Sequence, residues 1–322
     1  MKTACLSFSR SGEAIAFRIR DQFSRFVECF NQENYQANLD RIFQDFEAVI
    51  FISSTGIATR LCAPYLKSKS IDPAIVVVDD LGKYAISLIS GHLGGANELA
   101  RKLADFLSCQ AIITTASDNR GIEAVDLFAK KSGLIIEDLK SAKTITAMMV
   151  DGKRIGFYSL FTATINYPNL VRNHPEGCIF VDIAEKIDCT VPACFLRPRI
   201  LHVGIGCRKG KAGFEILEAI NLVFRQNNLS TKSIRSLATI ELKKNEPGLH
   251  EACQVLNCDL KIYSEEKIAS VQDKFETSQF VQETTGVASV CEPCAYLSGD
   301  ELIVNKTVID GITIAVSKSN KL

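Results

Sequence analysis

The sequence predicts an α/β protein: two three-layer α/β domains with mainly parallel sheets, joined by a smaller central α/β linking domain. Three observations predict it. Short apolar runs alternate with amphipathic stretches from residue 3 to residue 115, which is the rhythm of strands and crossover helices. Ala74–Val78 is an unbroken apolar run rich in β-branched residues, as expected of a strand buried on both faces. A second alternation starts at Ile200, after a connector bounded by Pro192 and Pro198. The domain boundaries that follow are 1–118, 119–198 and 199–322.

In chain order, residues 3–9 read as a strand, and Ser11-Gly12 leads into an amphipathic helix ending near Phe30. Residues 48–53 form a compact apolar strand. Ser53-Ser54-Thr55-Gly56 supplies hydroxyls to cap a helix over 57–67, which Pro64 shortens or kinks. Asp79-Asp80-Leu81-Gly82 is a turn, residues 84–89 a strand, and a helix opens at Ala96 before a strand over 111–115. In the central segment, 121–131 and 141–150 read as helical, 154–160 and 178–183 as strands, and 166–177 as loop. The last segment reads as strand 201–205, a glycine turn, helix 213–226, strand 233–240, helix 248–256 and strand 260–263. A polar stretch to 282, a helix over 287–297 and two short strands (302–305 and 313–316) complete it.

Composition narrows the function. The 322 residues are 47% hydrophobic, and 37 Lys and Arg balance 37 Asp and Glu, so bulk charge gives no case for nucleic acid or an acidic membrane surface. No run approaches the roughly 20 apolar residues of a membrane span. The twelve cysteines sit among apolar neighbours and read as reduced, buried thiols. With no secretory signal at the start, the expected location is the cytoplasm.

The chain is organised around residues 86–101, where an apolar run meets a turn with Gly91, His92, Gly94 and Gly95 and then a helix carrying Asn97, Glu98 and Arg101. Glycines let the backbone approach a ligand closely, and the helix start presents unpaired N–H groups and a positive dipole end. Such a turn suits a carboxylate, phosphate or developing oxyanion. It is equally compatible with packing alone. His92 is its one group that exchanges protons near neutral pH. Two further turns follow predicted strands: Thr55-Gly56, and Gly204-Ile205-Gly206-Cys207-Arg208-Lys209-Gly210, whose cations suit an anion or simply face solvent. That last turn matches neither a Walker loop nor a dinucleotide signature. Cys207 beside two cations is a nucleophile candidate set against a packed thiol. Cys291-Glu292-Pro293-Cys294 has the spacing of a redox or zinc pair but no second pair of zinc-site spacing. No histidine spacing supports a metal site, and there is no Gly-x-Ser-x-Gly elbow.

The runs Gly56-Ile57-Ala58-Thr59-Arg60, Ala63-Pro64, Asp72-Pro73-Ala74, Val76-Val77-Val78-Asp79 and Ser87 to Ala100 resemble the N-terminal region of the CbiG family. Residues 204–210, then Lys243 and Lys244 with Glu246 and Gly248-Leu249, then Gly286 to Glu292, resemble that family's second conserved domain. The resemblance implies a cobalt-precorrin-5A hydrolase of anaerobic cobalamin biosynthesis, which opens a δ-lactone and releases acetaldehyde to give cobalt-precorrin-5B. The alternative is a non-catalytic corrinoid carrier of the same pathway. Laid on the matched positions, the chemistry makes His92 the acid/base and Glu98 a second proton carrier or an orienter of His92. The amides of Gly94, Gly95 and Ala96 become oxyanion donors. Thr55, Gly56, Arg60, Gly91, Asn97, Arg101, Gly204, Gly206, Cys207, Arg208, Lys209, Glu246 and Glu292 are the further substrate-binding candidates. Cobalt belongs to the substrate, so no cofactor and no protein metal site are expected. The implied partners are the cobalt-tetrapyrrole and transient contacts with other cobalamin-pathway enzymes, with no nucleic acid and no membrane.

Overall fold

The structure is a computed structural model and describes residues 1–23, 26–68, 71–92, 94–275 and 286–321. The first alternation forms a sheet of six strands: β1 (Thr3–Ser7), β2 (Val27–Phe30), β3 (Ala48–Ile52), β4 (Ala74–Val78), β5 (Tyr84–Ile89) and β6 (Gln110–Ile112). Between them run helices α1 (Arg10–Arg18), α2 (Tyr35–Asp45), α3 (Thr55–Cys62) and α4 (Ala96–Leu107). The spatial order is β2-β1-β3-β4-β5-β6. The helix expected to end near Phe30 instead stops at Arg18, continues as one π-turn to Phe23, and gives way to β2 beside β1. Four residues are too short for a strand to announce itself at the end of an apolar helical pattern. Ser54 caps α3 by accepting from the Ile57 N–H at 3.4 Å, and Pro64 lies in the 3-10 turn that ends it.

Alternation along each strand builds two separate cores, because successive side chains point to opposite faces. Ile50, Ile52, Val76 and Val78 pack with Ala96, Leu99, Ala100 and Leu103 of α4. Val49, Phe51, Ile75 and Val77 pack with Ile42 of α2 and Ala58 and Cys62 of α3. Burial of each such Val, Leu, Ile or Phe side chain contributes about 1.5–3 kcal/mol.

One pairing decides where ligands can meet this sheet. β1, β2, β3 and β4 are mutually parallel, but β4 and β5 are antiparallel, and β6 is parallel to β5. The connection is tight: Asp79 accepts the N–H groups of Lys83 and Tyr84 at 2.7 and 2.6 Å and of Leu81 at 3.2 Å, and Gly82 takes φ +64°. A connection that short permits only an antiparallel neighbour. The ends of β5 and β6 therefore emerge at the edge opposite to the end of β3.

The chain divides into two units, 1–127 with 166–168, and 128–165 with 169–322. After α5 (Ala116–Asn119) and α6 (Val125–Lys131) come β7 (Ile135–Ile136), α7 (Leu139–Val150), β8 (Ile155–Ser159), β9 (Gly177–Val181) and β10 (Ala193–Arg197). Their sheet has the order β7-β10-β9-β8, parallel except for β7. Arg197 is fully buried. It donates to the carbonyls of Asp182, Ala184 and Glu185 and pairs with Glu137.

The last sheet has the order β13-β12-β11-β15-β14. It comprises β11 (Leu201–Cys207), β12 (Ile234–Ile240), β13 (Asp259–Tyr263), β14 (Glu301–Ile309) and β15 (Ile312–Lys318), with α8 (Gly213–Gln226), α9 (Pro247–Leu256), α10 (Glu265–Ala269) and α11 (Cys291–Ser298). The expectation of a mainly parallel sheet needs correction here. β11–β12 and β12–β13 are parallel, whereas β11–β15 and β14–β15 are antiparallel. Asp310 (φ 46°) and Gly311 (φ 80°) form a two-residue hairpin turn, whose left-handed backbone matches strand twist. The helix expected over 287–297 begins only at Cys291, and residues 276–282 of the expected polar stretch lie outside the described residues.

Candidate active site

The turn before α4 is built by close approach. A Cβ on Gly91 would meet Asn97 Oδ1 at 2.7 Å, and one on Gly94 would meet Ser90 Cβ at 2.4 Å. Ser90 (φ 57°) and Gly95 (φ 89°) are left-handed. The turn then closes on its own carbonyls. The Gly95 N–H donates to His92 O at 3.1 Å, Ala96 N–H to Ser90 O at 3.1 Å, and Asn97 N–H to Gly91 O at 3.0 Å. The oxyanion role expected for the Gly95 and Ala96 amides is thereby corrected: a turn this tight consumes those donors.

What the turn does present is His92. Its Nε2 lies 2.8 Å from Asp118 Oδ2 and 3.3 Å from Ser117 Oγ, and its Nδ1 lies 3.5 Å from Asp126 Oδ1. The hydrogen bond with Asp126 is the main cause of a raised imidazole pKa. Burial works against it, and Asp118 adds to it. Asp118 is the hub. Its Oδ2 also accepts from Thr115 Oγ1 at 2.6 Å and Asn97 Nδ2 at 2.9 Å, and its Oδ1 accepts from Arg101 Nη2 at 2.6 Å. Desolvation pushes this carboxyl up, but the bonds from Thr115, Arg101 and His92 outweigh it and hold the group down at about 2. Asn97 is buried and oriented in turn by Ser87 Oγ at 2.6 Å. The result is an imidazole ring held between two carboxylates that favour its protonated form, a group able to give a proton and take it back.

Other candidates are placed elsewhere. Thr55, Gly56 and Arg60 follow β3 and so lie at the sheet edge opposite to His92. Glu98 is exposed and pairs with Lys102 at 2.6 Å, while the carboxylates on the His92 ring belong to Asp118 and Asp126.

Gly206, Cys207, Arg208, Lys209 and Glu246 come together in the second unit, lining a pocket of about 620 Å³ with Lys243, Lys306, Thr313, Ile240, Leu242 and Val290. Glu246 accepts from the Gly210 N–H at 3.0 Å and Lys243 Nζ at 3.1 Å, which lowers its pKa, the backbone bond most. Burial raises the Cys207 thiol despite the pull of Lys243, so the nucleophile reading loses its physical basis. Gly204 is a packing residue: a Cβ there would meet the Cys291 carbonyl oxygen at 1.8 Å. Glu292 is buried and accepts from the Lys306 N–H at 3.1 Å. Cys291 and Cys294 are buried on α11, and burial drives Cys291 to about 11. His202, held by Ser236 and Ser319, is pushed down to about 4 by burial.

Comparison with known proteins adds an independent line. Residues 37–118, 123–198 and 201–317 match, in order, the family regions described as Cobalamin synthesis G N-terminal, Cobalamin biosynthesis central region and Cobalamin synthesis G C-terminus. The chain belongs to the CbiG family. A relative named Cobalt-precorrin-5A hydrolase from Priestia megaterium is 33% identical over 87% of this chain and 80% of its own. Another of the same name, from Salmonella typhimurium, is 33% identical over 85% and 82%. A solved structure, cobalamin biosynthesis protein chiG from Agrobacterium tumefaciens, aligns with 37% of this chain and 98% of its own at 30% identity and a TM-score of 0.30.

Within this CbiG chain, sequence reasoning missed Asp118, Asp126, Thr115 and Ser87 around His92, and Lys306 and Ser289 in the pocket. The available signal was positional. Thr115 and Asp118 follow β6, which is parallel to β5, so both strands deliver their ends to one edge. No helix among the described residues is long and apolar enough to cross a membrane.

Proposed function

We propose that this protein hydrolyses cobalt-precorrin-5A in cobalamin biosynthesis, opening its δ-lactone and releasing acetaldehyde to give cobalt-precorrin-5B. The observation that carries the reading is the 33% identity with two cobalt-precorrin-5A hydrolases over most of both lengths. Water adds to the lactone carbonyl and the ring C–O bond breaks, leaving a carboxylate and a hydroxyethyl group. Loss of the hydroxyl proton then breaks the C–C bond to the macrocycle, which keeps the electron pair, and acetaldehyde leaves. His92 fits both proton transfers: as imidazolium it protonates the departing lactone oxygen, and as imidazole it takes the hydroxyl proton. Asp126 and Asp118 stabilise the charged form and fix the ring, the orienting role first assigned to Glu98. Arg208 and Lys209 serve substrate carboxylates, in the pocket that Gly206, Cys207 and Glu246 also line.

The three family regions support a division into 1–118, 119–198 and 199–322. The two cores on alternate faces of the N-terminal sheet support a three-layer arrangement there.

The test is anaerobic incubation with cobalt-precorrin-5A, measuring acetaldehyde from wild type and His92→Ala. Release by wild type with at least a hundredfold loss in the variant supports both the reaction and the proton role. Equal release from both keeps the hydrolase and removes His92 from it. A bound corrinoid with no release by wild type favours a carrier.

A further inference from the structure

We propose that Ser289, Lys306 and the first turn of α11 form a seat for one free carboxylate of the corrinoid, on the wall of the C-terminal pocket. The proposal rests on the reading above that this protein takes a corrinoid. Its starting point is an unpartnered group. Ser289 is 2% exposed, its Oγ has no hydrogen-bond partner among the described residues, and it lines the pocket. Buried hydroxyls are almost always bonded, so an orphan at a cavity wall marks a place where a ligand atom belongs.

Two features give that atom its charge. α11 begins at Cys291, which also lines the pocket. Its first-turn N–H groups have no intrahelical acceptor, and its positive dipole end lies at the wall. Pro293 in that turn brings no N–H that would need a partner. Lys306 of β14 lines the same pocket, and its own N–H donates to Glu292 Oε1 at 3.1 Å, tying the strand to the first turn of α11. The acid on the pocket wall, Glu246, is already held by Lys243 and the Gly210 amide. Arg208, Lys209, Lys243 and Lys306 outnumber Glu246 on the wall and Glu292 in the first turn of α11, so the ligand group is an anion. The walls of Ile240, Leu242 and Val290 suit the flat apolar face of a macrocycle with carboxylates on its rim, rather than a free phosphate.

The test measures binding of dicyanocobyrinic acid and of its methyl ester, by visible absorbance, to wild type, Ser289→Ala, Lys306→Met and Lys306→Arg. The acid is expected to bind wild type at least tenfold more tightly than the ester. Ser289→Ala and Lys306→Met each weaken the acid about tenfold and leave the ester unchanged, and Lys306→Arg keeps acid binding within about threefold. Melting curves check that each variant is folded. Equal affinity of wild type for acid and ester, or acid binding within about twofold of wild type in both Ser289→Ala and Lys306→Met, overturns the seat. Acetaldehyde release by wild type alongside such unchanged binding sinks the seat and leaves the hydrolase. Acid held through Ser289 and Lys306 with no release by wild type sinks the hydrolase and leaves the seat.

Discussion

Asp118 Oδ2 lies 2.8 Å from His92 Nε2, and the same carboxylate binds Thr115, Asn97 and Arg101. A side chain only 12% exposed thus collects donors from the turn before α4, from α4 itself and from the segment after β6. The consequences are measurable.

Asp118 should make stability depend on acid pH. Its folded pKa of about 2 lies below its ordinary 3.8, so the stabilisation is complete above about pH 4 and is lost as pH falls through about 2. The size is about 2 kcal/mol. Urea unfolding between these pH values should show the loss in wild type and a flatter curve in Asp118→Asn. His92 works with the opposite sign: its raised pKa adds stability that is complete below about pH 6.5 and fades as pH rises through the folded value.

Asp126 should set the alkaline limb of activity. Its hydrogen bond is the first cause of the raised His92 pKa, so Asp126→Asn lowers that pKa. If the imidazolium is the acid, the alkaline fall in kcat moves to lower pH in the variant. An unmoved limb would show that another group supplies the proton.

Gly204 should matter for folding rather than for substrate affinity. The 1.8 Å approach of its Cβ position to the Cys291 carbonyl involves backbone on both sides, which a rotamer change cannot relieve. Gly204→Ala is expected to cost about 3 kcal/mol or more, seen as a lowered melting temperature. A variant as stable as wild type would refute the packing role.

Cys207→Ser should keep its activity. Burial raises this thiol and so keeps it protonated, and a protonated thiol is a poor nucleophile. Acetaldehyde release within about threefold of wild type is expected, against a loss of a hundredfold or more for a covalent nucleophile.

Local pattern carried much of this architecture. The β-branched run at Ala74–Val78 is fully buried, as its composition requires, and the helices after Ser54 and Gly95 start where a hydroxyl and glycines allow them. The strand hidden at Val27–Phe30 and the Asp310-Gly311 hairpin escaped. The first is four residues long, and pairing with β1 defines it more than its own periodicity does, whereas the Asp-Gly turn is itself a local hairpin signal.

The sequence by itself determined the α/β class, the central glycine turn with His92, and the motifs by which the family is recognised, because these follow from neighbours along the chain. Tertiary structure alone decided which groups meet. The tight turn at Asp79 reverses β5, which separates Thr55 and Arg60 from His92 and brings Asp118 to it. The close-packed turn takes up the Gly95 and Ala96 amides, and burial keeps the Cys207 thiol protonated. The meeting of His92 with Asp118 and the desolvation of Cys207 depend on contacts between residues far apart in the chain, and no local pattern encodes them.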